Sequence, residues 1–154
     1  MTVTFREYPE KEVAAQPIGA WSGSAYRSVV GALREQLAVE GLTQPHWWTL
    51  QHVAGDPGRW TRAALTDRLE RWDDLGTDFD GVFDDLVGRG WLTEEAGRMT
   101  LTEAGEEGRV RAKERNARIH RQVHEGVATA DFVTTVNVLR RMVANLGGDA
   151  DLPG

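Results

Sequence analysis

The sequence contains no cysteine. That excludes disulfide scaffolds, thiolate nucleophiles and sulfur-based zinc sites. Long apolar runs are also missing: none approaches the ~20 residues of a membrane span, so no membrane partner is expected. Met1-Thr2-Val3-Thr4-Phe5-Arg6-Glu7 has no charged region leading into an apolar one, the pattern of a secretory leader. Nucleophile elbow, phosphate loop and HExxH patterns are absent as well, so neither a catalytic residue nor a cofactor is assigned. Basic side chains are missing from residues 72–88. At 40% hydrophobic and 27% charged residues, the chain has the composition of a folded domain with a core of its own. The expectation is one compact, cytoplasmic domain with helical extensions.

What is present is unevenly distributed. Across residues 70–85, Glu70, Asp73, Asp74, Asp78, Asp80, Asp84 and Asp85 stand against the single base Arg71, so that segment carries the whole net charge of −6. A surface of that sign is not built to attract phosphate.

Residues 1–16 are polar and aperiodic and read as an arm. From Pro17, Ile18, Trp21, Ala25, Val29, Leu33 and Leu37 recur at helical spacing and form one apolar stripe, ended by Gly41. Thr43 suits the cap of a second helix, with Pro45 in its first turn and Trp47, Leu50, Val53 and Ala54 on its buried side. Thr61 caps a third, with Ala64, Leu65 and Leu69 inward. A fourth carries Phe79, Val82, Phe83, Leu86 and Val87, with Thr77 as cap, Asp80 three residues on as in a capping box, and Gly90 as stop.

Two extended pieces, 91–93 and 98–101, flank Glu94-Glu95-Ala96-Gly97 as a hairpin. A long helix over 103–125 follows, then one over 130–146 with Phe132, Val136, Leu139, Val143 and Leu146 spaced like a heptad seam. Residues 147–154 read as a frayed tail. The fold class is therefore mainly α with a small β-hairpin wing: a winged helix-turn-helix lobe over about 43–105, between long helices at about 17–40 and 103–146.

Three motifs in this order resemble the MarR-type regulators. Leu42-Thr43-Gln44-Pro45-His46-Trp47-Trp48-Thr49-Leu50 is similar to that family's second-helix opening. Residues 77–92 are similar to its recognition helix with the Leu-x-x-Arg-Gly turn at its end. Leu101-Thr102-Glu103-Ala104-Gly105 is similar to the Leu-Thr-x-x-Gly after its wing. The resemblance covers about residues 17–146. It implies a homodimeric transcription regulator that binds operator DNA and responds to a small aromatic or lipophilic ligand.

Carried over by position, the DNA-facing residues are Thr77, Asp78, Asp80 and Gly81, with Arg62, Arg89 and Arg98 as cations. Of the groove-facing four, Thr77 fits the usual base-reading side chains best, and the carboxylates repel phosphate. The wing is short and offers Glu94 and Glu95 with Arg98 alone. Specific binding is therefore expected to be weak.

Trp47 and Trp48 are consecutive on a helix and point about 100° apart. If Trp47 packs inward, Trp48 covers a cleft or a partner. Trp21, Tyr26, His46, Trp48, His52, His120 and His124 are the candidate lining of an apolar ligand site. Two further readings remain open at this stage. One is a ligand-binding protein or small enzyme on a scaffold that has lost DNA binding. The other is a zinc sensor using His46 with the i, i+4 pair His120 and His124.

Overall fold

Residues 3–152 are described in the computed structural model. The parts of the expected arm and tail at 1–2 and 153–154 lie outside the described residues. The chain forms two compact units, Met1–Asn116 and Ala117–Gly154, whose division falls within one long helix.

In the first unit the arm is not wholly aperiodic. It contains one helical stretch, α1 (Glu10–Ala14), exposed throughout, with Glu10 and Glu12 in its first turn. Helix α2 (Ile18–Val39) follows Pro17 and closes at Gly41, whose φ of +67° is readily available only to glycine. The Leu42 N–H then donates to the Leu37 carbonyl at 3.0 Å, and both leucines are buried. Leu37 is the buried residue of α2; Trp21 remains 60% exposed.

Helix α3 (Gln44–Gly55), helix α4 (Arg62–Leu69), a 3₁₀ turn at Glu70–Trp72 and helix α5 (Phe79–Gly88) come next. Their apolar faces meet in one core: Leu50 and Val53 of α3, Leu65 and Leu69 of α4, and Phe79, Val82, Phe83 and Leu86 of α5. Ala64, expected inward, is exposed, because the narrow face of this eight-residue helix is filled by the two leucines. Trp47 and Trp48 are both half-buried and both pack against the core.

Strands β1 (Leu92–Glu95) and β2 (Arg98–Leu101) pair antiparallel from Leu92 opposite Leu101 to Glu95 opposite Arg98. The hairpin is longer than the pattern suggested, because its turn takes only Ala96 and Gly97, at φ +49° and +73°. Helix α6 (Glu103–His124) then carries the chain into the second unit. There a turn at Gly126 leads to α7 (Thr129–Asn145). Phe132 of α7 stacks on His124 with ring centroids 4.5 Å apart.

Among the described residues no helix is long and apolar enough to cross a membrane.

Candidate nucleic-acid interface

The two motifs that bound α5 hold it by main-chain geometry. At its end, Gly90 adopts φ +72°, and the Trp91 N–H reaches back to the Leu86 carbonyl at 3.0 Å. After the hairpin, the Thr102 hydroxyl donates to the Gly90 carbonyl and accepts from the Gly105 N–H at 3.1 Å. Gly105 lies against the Trp91 carbonyl and Gly108 against the Trp91 ring, where a Cβ would collide. The Leu-Thr-x-x-Gly spacing is thus what lets α6 start directly against the end of α5.

At the other end the expected cap is displaced by one residue. Asp78, not Thr77, is the N-cap of α5, and its Oδ1 accepts from the Gly81 N–H at 3.1 Å. A Cβ on Gly81 would stand 2.8 Å from the other Asp78 oxygen, so this glycine gives the cap room. Thr77 is engaged elsewhere: its N–H and hydroxyl donate to Asp73 at 2.6 and 2.7 Å. These donors hold the Asp73 carboxyl below its ordinary range. Thr77 and Asp78 therefore hold the backbone of this helix start.

The exposed face of α5 carries Asp80, Asp84, Asp85 and Gly88. Arg62, the first residue of α4, is held among carboxylates. It pairs with Glu94 of β1 at 2.6 Å, Asp84 at 2.8 Å and Asp80 at 3.3 Å, and its guanidinium lies over the Phe83 ring. Glu94, followed by burial acting in the opposite sense, dominates the balance that keeps Arg62 more firmly protonated than an ordinary arginine. One cation among three carboxylates leaves this part of the face negative.

Arg89 is likewise turned to its own chain. Its Nε meets Asp85 at 2.8 Å, and its other nitrogens donate to the Gly41 carbonyl at 2.7 Å and the Glu40 carbonyl at 3.4 Å. Arg98 donates to the Arg59 carbonyl at 2.5 Å, and Arg59 pairs with Asp56. The three arginines assigned to phosphate therefore all have partners within the chain.

Of the seven residues assigned to a ligand site, Trp21, Tyr26, His46, Trp48 and His52 belong to the first unit and His120 and His124 to the second. Trp48 and His52 do meet, with the His52 Nδ1 2.8 Å from the Trp48 carbonyl. They are joined by Trp72, centred 6.3 Å from Trp48 and 5.5 Å from His52, and by Trp60, 5.7 Å from His52. Trp60 and Trp72 had no place in the expected site, since nothing in their spacing ties them to α3. Tyr26 donates to Asp74, which also binds Arg34, and this bond raises the phenol's pKa. Trp21 donates to Gln16 at 3.2 Å and faces solvent.

His120 and His124 are exposed in the second unit. His46 is only 8% exposed, and both its ring nitrogens are engaged, by Thr43 and by Asp85. Among the described residues no three His, Asp or Glu side chains form a group that could hold a metal ion.

No family model and no curated protein matches the sequence. Solved structures do. A MarR family transcriptional regulator from Silicibacter pomeroyi is 19% identical, with 90% of this chain and 99% of that one aligned at a TM-score of 0.69. The transcriptional repressor CouR bound to p-coumaroyl-CoA is 21% identical, with 89% and 98% aligned at 0.65. A Mycobacterium tuberculosis MarR family protein in complex with DNA is 20% identical, with 86% and 99% aligned at 0.64. The chain has the MarR-type winged-helix fold, mainly helical with one two-stranded hairpin.

Proposed function

We propose that the protein is a homodimeric transcription regulator that presents α5 and the β1–β2 hairpin to DNA with low intrinsic affinity. The observation that carries this reading is the order α3, α4, α5, hairpin, with α5 seated by its buried face and exposed on the other. It is supported by a fold match over nearly the full length of a MarR family protein in complex with DNA. The low affinity follows from the ion pairs, because Arg62 is surrounded by Asp80, Asp84 and Glu94. A phosphate approaching it must compete with those carboxylates.

A small aromatic or lipophilic ligand is part of the same proposal, now centred on Trp48, His52, Trp60 and Trp72. Their mutual ring contacts form an aromatic group with several nitrogens, and Trp72 is 38% exposed.

Footprinting on DNA upstream of the protein's own gene tests the reading. Two protected half-sites about one helical turn apart are expected of a two-fold dimer. Absence of any protected sequence, at low salt and micromolar protein, would favour the alternative of a ligand-binding protein or small enzyme on this scaffold. The capture of Arg62 by three carboxylates is the observation on that side.

A further inference from the structure

His46 does something no surface histidine does here. It is buried at the start of α3 and joins that helix to α5. Its Nδ1 lies 3.2 Å from the Thr43 backbone N–H and 2.7 Å from the Thr43 hydroxyl. The backbone N–H can only donate, so Nδ1 must carry a lone pair. The ring is therefore the neutral tautomer with its proton on Nε2. That proton is donated to Asp85 Oδ2 at 2.9 Å.

The same Asp85 oxygen accepts from Arg89 Nε at 2.8 Å, and Arg89 in turn holds the carbonyls of Glu40 and Gly41 after α2. The Glu40 carboxylate is bound by Arg111 and Arg115 of α6. One hydrogen-bonded chain thus runs from the α3 cap through Asp85 to the corner between α2 and α3.

We propose that His46 is a positioning residue for α5, and that its protonation shifts the last turn of α5 by drawing Asp85 toward the ring and loosening the Asp85–Arg89 pair that ties it to that corner. A proton on Nδ1 removes the acceptor of the Thr43 N–H. It also places a full positive charge on the ring, which then competes with Arg89 for the single oxygen Oδ2. The groups facing His46 are Thr43 at the cap of its own helix, Asp85 in α5 and Arg89 just after α5; Glu40 stands behind Arg89, neutralised by the α6 arginines. Burial holds the ring below its ordinary value of 6.5, Asp85 opposes that, and Arg89 adds to it.

This inference rests on the reading of α5 as the element shown to DNA, but its primary test does not use DNA. Nitrogen-15 NMR of the full chain reports the His46 tautomer and titration, and amide shifts report residues 85–90. The Nε2–H tautomer is expected at neutral pH, with a midpoint below 6.5. The amides of 85–90 should move with the same midpoint in the still-folded protein.

Asp85→Asn should lower the midpoint, because it removes the one charge that favours protonation. His46→Gln keeps an acceptor for Thr43, glutamine being an ordinary partner in a capping box, and should abolish the amide titration without unfolding α3. Amides of 85–90 that stay flat while His46 titrates would overturn the proposal, as would an unchanged amide titration in His46→Gln. If the amides follow His46 while no upstream DNA is bound at any pH, the latch stands and the regulator reading fails.

Discussion

A methyl group added at Gly105 would run into the Trp91 carbonyl, and neither backbone has slack: the Thr102 N–H donates to that same carbonyl at 3.0 Å. Gly105→Ala is therefore expected to lower stability by about 1–3 kcal/mol, the usual cost of overpacking a tight contact. Gly19→Ala is the control, since a Cβ there meets nothing within 4 Å, and in the first turn of α2 it should be neutral or gain less than about 1 kcal/mol. Urea denaturation of the two variants checks this; equal effects would contradict it. The glycine's spacing after Leu101-Thr102 is plain in the sequence. Its reason is not, because the Trp91 carbonyl it accommodates lies on the far side of a hairpin. The same limit hid the fate of Arg62, Arg89 and Arg98. A cation's sign is readable from sequence, but whether Glu94 or a phosphate will take it depends on which carboxylates the fold brings within 4 Å.

For α5, the apolar positions 79, 82, 83 and 86 were legible because an amphipathic stripe of that regularity has one buried orientation. The cap was not, since Thr77 and Asp78 both stand three residues before a plausible N3. The choice is made by Asp73, which takes both Thr77 donors. Asp78→Ala should cost about 1 kcal/mol and speed hydrogen exchange at Gly81, whereas Thr77→Val should leave the Gly81 amide protected. Loss of protection in the Thr77 variant instead would return the cap to that residue.

His46 gives the α3–α5 contact a pH dependence whose sign is fixed by its lowered pKa. The unfolded chain takes up the proton first as pH falls, so the contribution is complete above about 6.5 and is lost between there and the lower folded value. Denaturation midpoints measured from pH 7.5 to 5 should fall in the native protein more than in His46→Gln.

At the scale of the molecule, apolar side chains are left bare in both units: Ile18, Trp21, Tyr26 and Val39 on α2, and Phe132, Val133, Val138, Met142 and Val143 on α7. Exposed apolar surface costs about 25 cal/mol per Å², and a second copy of the chain is the proposed cover. Light scattering at micromolar concentration should give a dimer; a folded, stable monomer would contradict it. The stripe of α2 was readable from spacing alone, but sequence could not tell a core-facing stripe from a partner-facing one. Leu37 is the α2 side chain that the fold buries fully.

The acidic face of α5 bears most directly on function, and the structure identifies which carboxylates to change. Asp78 caps the helix and Asp85 binds His46, so Asp80, Asp84 and Glu94 are the ones whose removal frees Arg62. The decisive measurement is fluorescence anisotropy with upstream DNA across salt concentrations, comparing the native protein with Asp80→Asn/Asp84→Asn/Glu94→Gln. The native protein should bind more weakly than about 10⁻⁸ M at physiological salt. The triple variant should bind more tightly, with a salt slope steeper by about 0.9 for the one cation released to phosphate. A native complex in the nanomolar range, or a triple variant with no gain in affinity or slope, would contradict the account.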